Sequence, residues 1–331
     1  MDFFTHFLVP YIILFALKSK NKLAGGFGGI SIDFDTFISW IGLLIPSLFV
    51  FSHRGITHSF IFAAVTSTLF LYIISRKRIN EFIGNIIKRD ISVEFTFKTV
   101  GIAYFGAIIH LFLDFLTSRG IPLLYPFTLE RFSAEIYYYI DITTAVIALI
   151  VLSVLYLKLD MKYKNLKHKS VGGTENLRFT SRTAMAIFMI ILISFGGIRA
   201  YEKINAINDN PVSENFTYIT AYPTMDIFTW TIVESDNTNS TYHSFKYNTL
   251  NKEQSDTKTV QSLTVMGGSV QSAQEAIDKA NNLPEVQNFK WDGYYPCINA
   301  SYNGNVWELT YFDVIDTGYN NNNIKVFIPQ N

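Results

Sequence analysis

The first 200 residues alternate between apolar runs and short polar links. Four runs approach the length of about 17 to 25 residues that a membrane span requires, and they are residues 59–74, 99–116, 136–157 and 183–198. Two further runs, 7–17 and 37–51, are shorter and are expected to be tilted, re-entrant or interfacial. The pattern predicts a polytopic α-helical membrane domain over residues 1–199, with about five to six apolar segments.

Beyond residue 200 the pattern changes to one typical of a soluble domain. Alternating polarity over 228–233 and 242–247 predicts strands, and Asn303-Gly304 between two aromatic-rich runs predicts a hairpin turn. Residues 272–282 predict one short helix, with Pro284 beyond its end. We expect residues 200–331 to form a small β-rich α+β ectodomain.

Composition supports the membrane assignment and divides the chain by charge. Only 16% of the residues are charged, against about 25% in ordinary soluble domains. The net charge of zero combines 20 Lys and Arg with 12 Asp and Glu before residue 200, and 7 with 15 after it. A neutral chain is not expected to bind nucleic acid, and the lone Cys297 cannot form an intramolecular disulfide.

Lys and Arg concentrate in two links, 76–89 and 158–182, which the positive-inside rule assigns to the cytoplasm. The links 52–59 and 117–135 are then external, as is everything after the last span. We therefore expect a multi-pass protein of the cell membrane, surrounded by the lipid bilayer, with an acidic extracytoplasmic C-terminal domain. The sequence does not identify the protein's partners.

Two motifs of the membrane half combine histidine with other polar groups. His110 and Asp114 are four residues apart, on one face of a predicted helix, and can hold a cation or form a hydrogen bond at a helix end. His53 and His58 are of a ligand type common for zinc, and Arg54 is suited to a phosphate or carboxylate. The alternative for this second motif is an interfacial turn in which Arg54 meets lipid headgroups.

Asp33 and Asp35 follow the glycine-rich stretch 25–29. As oxygen ligands they can complete a metal site, whereas the alternative is a flexible loop with two solvated acids. A straight helix over 37–51 would be about 22 Å long and would separate these acids from the next histidines. We therefore expect Pro46 to break this segment.

Three further residues have weaker assignments. His6 begins the first apolar run, on the same predicted face as the other motifs, and is either interfacial or a ligand. Asp141 can orient a ligand imidazole, or it can pair with Arg119 or Arg131. Ser59 is expected to cap the helix that follows it.

In combination, these residues resemble the membrane-bound, metal-dependent hydrolase family that includes the LexA-regulated, YdjM-like inner-membrane hydrolases. The resemblance covers roughly residues 1–160 and is carried by Thr5-His6, Asp33-Phe34-Asp35, the complete run from His53 to Ser59, His110-x-x-x-Asp114 and the Gly-x-Pro-Leu-Leu-x-Pro tail at 120–126. The family pattern has Pro before and His after the aspartates, where this chain has Ile32 and Thr36. One possible ligand is therefore absent, and the number of metal ions stays open.

The resemblance implies hydrolysis with one or two divalent ions, zinc being the first choice. Such an ion lowers the pKa of bound water from its much higher bulk value to about 7. The expected ligands are His6, Asp33, Asp35, His53, His58, His110 and Asp114. These seven exceed the usual three, so either two ions bind or several of the seven orient the others. Asp33 and Asp35 are also candidates for the general base.

The remaining candidates would contact substrate or support the ligands. Arg54 and Arg119 would neutralise charge that develops on an anionic substrate, and Thr57, Ser59 and Asp141 would orient ligands or touch the substrate. The expected substrate is a lipid or lipid-linked molecule with a phosphoester or ester bond at the outer membrane face. A weaker similarity to zinc-dependent phospholipases C and related single-strand nucleases favours phosphoesters.

Two other classes of function stay open. Intramembrane His and Asp can form the ion pathway of a transporter, although the chain has no obvious internal repeat of the kind that transporters often show. The membrane half can also be a non-catalytic anchor for the ectodomain, with a structural metal site.

Overall fold

The computed structural model describes residues 1–88, 92–167, 174–315 and 323–330, without the side chains at 43, 46, 87 and 158–180. Its helices in chain order are α1 (Phe3–Ala16), α2 (Lys22–Ser31), α3 (Trp40–Leu44), α4 (Phe60–Ile74), α5 (Lys77–Ile87), α6 (Phe97–Phe115), α7 (Ile142–Lys167), α8 (Thr174–Asn208), α9 (Val270–Ala280) and α10 (Pro284–Asp292). The chain forms two compact units. One contains Met1–Asp35 and Ile56–Ile198, and the other contains Thr36–Gly55 and Arg199–Asn331.

Within the described residues, two helices are long and apolar enough to cross a membrane. They are α6 and the part of α8 from Ser181 to Asn208. Helices α4 and α5 meet the same criterion only as a pair, which is bent by 79°. Helix α1 and the first part of α7 are apolar but shorter. Two or three candidate spans are therefore present, and the expected count of five to six apolar segments is not confirmed.

The glycine-rich stretch lies within helix α2 and lets this helix pack closely between α1 and α6. A Cβ atom on Gly28 would lie 1.9 Å from the carbonyl oxygen of Ala103, and one on Gly29 would lie 2.1 Å from that of His6. Since real side chains cannot approach backbone so closely, only glycine permits this arrangement. Because these helices pack closely, α1, α2 and α6 each bring one end to the same place.

Helix α7 begins six residues later than the apolar run predicts. The N–H groups of Ala134 and Ile136 donate to the carbonyl oxygens of Phe115 and Leu116, at 2.7 and 2.9 Å. Residues before Ile142 are thus bonded to the C-terminal end of α6 rather than to a helical turn of their own. The expected start at residue 136 was wrong because hydrophobicity does not reveal which backbone groups are already paired.

The segment Thr36–Gly55 is not one straight helix. Helix α3 is followed by a 3₁₀ helix from Pro46 to Phe51, and Ile45 between them has non-helical angles, φ −126° and ψ 89°. The residue before a proline is disfavoured in the helical region. The break expected at Pro46 is therefore confirmed.

The C-terminal part is β-rich, as predicted. Its described strands are β1 (Tyr218–Pro223), β2 (Thr229–Ser235), β3 (Thr241–Asn248), β4 (Glu253–Gln254), β5 (Lys258–Gln261), β6 (Leu263–Met266), β7 (Pro296–Tyr302), β8 (Val306–Asp313) and β9 (Asn323–Pro329). One antiparallel sheet has the order β1-β2-β3-β4, with β5 also paired to β3. The other has the order β6-β7-β8-β9, in which only β6 and β7 are parallel.

Helices α9 and α10 connect the two parallel strands and cover one face of the second sheet. Ile277 of α9 and Val286 of α10 are buried against a core that includes Trp307 and Leu309. The helix predicted over residues 272–282 is confirmed as α9, but the sequence took Pro284 only as a residue beyond its end and did not predict α10. Pro284 instead begins α10, since proline fits the first turn of a helix, where its missing N–H is not needed.

The turn between β7 and β8 has the geometry that the sequence predicts. Asn303 accepts hydrogen bonds from the N–H groups of Asn305 and Val306, at 3.2 and 3.0 Å, and Gly304 has a φ of +97°. The predicted turn between β7 and β8 is thereby confirmed.

The ring of Phe49 packs against Trp291 of α10 at 5.3 Å, which explains why the segment 36–55 belongs to the same unit as the C-terminal domain.

Candidate metal centre

Histidine and carboxylate side chains from distant parts of the helical unit converge at one end of it. Helix α1 contributes His6, a 3₁₀ helix after α2 contributes Asp33, and α6 contributes His110 and Asp114. Each offers one ligand atom, and these four atoms lie within 4.8 Å of one another. The structure therefore brings three of the sequence motifs together.

His110 is held in the orientation of a metal ligand. Its Nδ1 lies 2.6 Å from the carbonyl oxygen of Gly29, so this nitrogen carries the proton and donates it. The lone pair of Nε2 then faces Oδ2 of Asp114 at 3.4 Å and Oδ1 of Asp33 at 3.6 Å. A backbone carbonyl that fixes the tautomer in this way is typical of metal-binding histidines.

His58 joins the same group of atoms from the 3₁₀ helix before α4. Its Nε2 lies 3.2 Å from Nε2 of His110 and 3.4 Å from Oδ2 of Asp114. Oδ1 of Asp33 is 3.8 Å away. Two imidazole nitrogens and two carboxylates thus face a common point, which is a suitable donor set for zinc.

Buried His6 fits a metal centre for a further reason. Its ring stacks on that of His110 at 3.7 Å, and its Nε2 lies 3.3 Å from Oδ1 of Asp114. Neither nitrogen of His6 makes a hydrogen bond with any residue that the structure describes. A buried polar group usually has a partner, and a bound cation would supply one. The α-ammonium of Met1 also donates to Asp114.

Asp35 and Thr57 support His58 from the side away from the common point. The Thr57 hydroxyl donates to Oδ2 of Asp35 at 2.6 Å, and the same carboxylate oxygen lies 3.2 Å from Nδ1 of His58. This contact orients the imidazole as Gly29 orients that of His110. Asp35 thus occupies the position of an orienting carboxylate, whereas Asp33 lies on the side of the ligand atoms.

The carboxylates make this location strongly favourable for a cation. Burial lowers the pKa of His58, but three neighbouring carboxylates, above all that of Asp35, outweigh burial and raise this pKa to about 10. The charges therefore favour a positive species next to the imidazole. A divalent cation can take the place of the proton, since metal binding and protonation compete for the same nitrogen.

Replacing Asp35 or Thr57, which orient the imidazole of His58, is expected to weaken metal binding without removing a ligand. Asp35→Asn should lower zinc affinity by about 10- to 100-fold, as loss of orienting partners does in other metal sites, and Thr57→Val should have a smaller effect. Titration calorimetry with zinc measures both changes. The exposed Asp256→Asn serves as a control, and equal affinities for Asp35→Asn and the control would contradict the assignment.

The remaining residues of the second histidine motif have different surroundings. Ser59 is the N-cap of α4, where its hydroxyl accepts from the N–H of Phe62 at 3.4 Å, so the predicted cap is confirmed. His53 and Arg54 belong to the segment 36–55, in which Nδ1 of His53 lies 3.5 Å from the hydroxyl of Thr36. Their assignments as metal ligand and substrate-binding residue stay predictions.

Arg119 and Arg131 belong to the turn after α6. Arg119 is buried, with its guanidinium 5.6 Å from the Tyr139 ring. Arg131 donates from Nε to the carbonyl oxygen of Arg119 at 3.0 Å. This contact gives Arg131 a structural function, and that of Arg119 toward a substrate stays a prediction.

Asp141 caps helix α7. Its Oδ1 accepts from the N–H of Thr144 at 3.0 Å, and in the described part of the chain this carboxylate contacts no imidazole. This contact makes Asp141 a helix cap, and its orienting or ion-pairing function stays a prediction. Asp141→Ala should cost about 0.5–2 kcal/mol of unfolding free energy and leave zinc stoichiometry unchanged. Thermal unfolding measures the loss, and Asp141→Asn, which retains a capping oxygen, should be nearly neutral.

Sequence reasoning missed one participant, the backbone of Gly29. It did not identify the backbone carbonyl oxygen that accepts a hydrogen bond from Nδ1 of His110. The spacing Gly25-x-x-x-Gly29 was the available signal, because two small residues four positions apart are typical of close helix packing in membranes.

An apolar helical unit with buried histidines and carboxylates at one end, followed by a β-rich part, defines a membrane protein with a candidate metal centre. The chain belongs to the YdjM inner membrane protein family, which it matches over residues 1–203. The resemblance found from the motifs is thereby confirmed. No curated protein and no solved structure matches the chain.

Proposed function

We propose that this protein is a membrane-bound, metal-dependent hydrolase that cleaves a phosphoester or ester bond. The observation that carries the proposal is the pair of Nε2 atoms of His58 and His110, 3.2 Å apart. Each imidazole is supported at Nδ1 by an oxygen, and both face Asp33 and Asp114. Supported imidazoles beside carboxylates are characteristic of hydrolytic metal sites.

The residues that would hold zinc are His6, His58, His110, Asp114 and Asp33. When bound, the ion would polarise the scissile bond and increase the acidity of a water molecule. The site can hold one ion or two, because five side chains exceed the three protein ligands of a usual catalytic zinc. Asp114 lies within 3.4 Å of an imidazole nitrogen of His6, His58 and His110, and it would be the central carboxylate.

Asp33 is the member of the group best placed to meet a substrate. Its side chain is 14% exposed, whereas those of His6, His58, His110 and Asp114 are 0–1% exposed. We assign it to the accessible side of the site, as a ligand or as the general base that accepts a proton from the attacking water. Solvent reaches the cluster at Asp33, and a substrate would approach from there.

The distribution of charge supports a position for the site at the outer face of the membrane. Helix α4 has 15 residues and lies between His58 and Arg76, so the metal centre and the basic link after α4 are about 22 Å apart. The positive-inside rule assigns this basic link to the cytoplasm. The site, and the domain after α8, would then be extracytoplasmic in a multi-pass protein. A lipid or lipid-linked anionic substrate fits that location.

The direct test uses the purified full-length protein in mixed lipid micelles. We expect zinc-dependent hydrolysis of bis(4-nitrophenyl) phosphate or 4-nitrophenyl acetate, or release of headgroups from phosphatidylglycerol. A chelator should abolish the activity and added zinc should restore it. Zinc uptake into liposomes without any hydrolysis would instead indicate a transporter, and stoichiometric zinc without either activity would indicate a structural site in a membrane anchor.

A further inference from the structure

The end of the helical unit opposite the metal centre carries an excess of basic side chains. The described basic residues there are Lys18, Lys20, Lys22, Arg76, Lys77, Arg78, Lys88 and Lys98, and the acidic ones are Glu81 and Glu94. A shared core of Ala24, Leu71, Ile74, Val93 and Ala103 joins the helix ends that bear them. This surface, which we call the basic end, is strongly positive.

Helix α5 lies across the basic end instead of continuing α4. The two helices meet at 79°, and Ile79 and Ile83 of α5 pack against the shared core. The next positions on the same apolar side, Phe82 and Ile86, are 64% and 66% exposed. The helix therefore has an apolar edge that is exposed among the residues that the structure describes.

Aromatic side chains lie at the neighbouring ends of α4 and α6. The Arg76 guanidinium lies over the Tyr72 ring at 3.6 Å, and Tyr72 contacts Phe95 edge-on at 5.3 Å. Phe97, the first residue of α6, is 96% exposed. Aromatic rings and basic side chains at the ends of membrane helices are typical of the layer of lipid headgroups.

We propose that α5 is an interfacial helix that docks the basic end on anionic phospholipid headgroups. Phe82 and Ile86 would enter the boundary between headgroups and acyl chains, and Lys77, Arg78 and Lys88 would contact phosphate. An amphipathic helix with basic residues on its polar side binds a bilayer in this way. Helix α5 is then not the second half of a broken span. This proposal does not depend on hydrolysis.

The electrostatic contribution to the binding of α5 at the membrane surface follows from the number of its basic residues. Each basic residue close to an anionic leaflet contributes about a fivefold change in partitioning. The triple variant Lys77→Gln/Arg78→Gln/Lys88→Gln should therefore weaken the association of α5 with the surface severalfold or more. The effect should be small in a zwitterionic bilayer, where no net attraction exists, and should decrease with salt.

The experiment places a fluorescent probe on either side of α5. Phe82→Cys and Glu81→Cys are each labelled with nitrobenzoxadiazole in the full-length protein, reconstituted in equal parts phosphatidylglycerol and phosphatidylcholine. Cys297 is buried, so the unsubstituted protein is the labelling blank. We expect the label at 82 to be protected from aqueous iodide and quenched by spin-labelled lipid, and the label at 81 to show the opposite.

Other outcomes overturn the proposal in distinguishable ways. Equal iodide quenching at both positions would place α5 in water, and equal protection would place it inside a span or a re-entrant loop. In pure phosphatidylcholine, or with the triple charge variant, protection of position 82 should fall severalfold. The matched variant Lys246→Gln/Lys258→Gln/Lys279→Gln, with the same loss of charge in the C-terminal domain, should leave it unchanged. Unchanged protection of position 82 in phosphatidylcholine would show that α5 binds the bilayer surface without anionic headgroups, which contradicts the proposal.

Discussion

Replacing His110 with Ala should lower zinc affinity by about 100-fold or more. A structural zinc site of four ligands contributes about 10–16 kcal/mol, so one ligand accounts for roughly a quarter of that value. His110 has a further function, since its ring stacks on His6 at 3.7 Å and its Nε2 lies 3.2 Å from that of His58. Loss of this imidazole should therefore also disturb the positions of His6 and His58. We expect His110→Ala to have one of the largest effects on zinc affinity.

Metal analysis of the purified protein, followed by zinc titration, measures this effect. His243→Ala is the matched control, because His243 lies on β3 and contacts Glu234 rather than the metal centre. Thermal unfolding of both variants shows whether they are folded. If His110→Ala folds and retains zinc with the affinity of the control, the cluster is not the metal site, and the proposed hydrolase function fails with it.

Replacing Gly106 with Ala should destabilise the helical unit by about 1–3 kcal/mol, the usual cost of overpacking a filled interior. A Cβ atom at this position would lie 2.0 Å from the carbonyl oxygen of Gly25 and 2.9 Å from the nitrogen of Gly29. Helices α2 and α6 would have to separate. Because the Gly29 carbonyl orients His110, zinc affinity should fall together with stability.

Helix α6 contains its own control for this prediction. A Cβ atom on Gly101 meets nothing within 4 Å, so Gly101→Ala should be neutral or should stabilise the helix by up to about 1 kcal/mol. Unfolding temperature and zinc affinity are measured for both variants. Equal unfolding temperatures for Gly106→Ala and Gly101→Ala would show that α2 and α6 do not pack as closely as the structure has them.

Much of the fold was accessible from local sequence because it depends on neighbouring residues. The i, i+4 spacing of His110 and Asp114 places both on one helical face, and the position of Pro46 predicts the break in its segment. Asn303-Gly304 predicted a turn that the structure contains. These features depend on backbone geometry over a few residues, which periodicity and turn chemistry describe well.

Predictions failed where the partner of a residue is distant in sequence. The hydrogen bonds from 134–137 to the end of α6 delay the start of α7. Segment 36–55 belongs with the C-terminal domain because Phe49 meets Trp291. No pattern within a short window contains these pairings, since each depends on how the elements pack.

The sequence by itself determined that this is a membrane protein of the YdjM family type, with a basic link after α4 and polar motifs of metal-binding composition. Only the tertiary structure decided which side chains share a site. His6, Asp33, His110 and Asp114 meet because glycines let α2 approach α1 and α6 to backbone contact. It also separated the orienting Asp35 from the ligand-side Asp33, because a carboxylate's function depends on which imidazole nitrogen it faces.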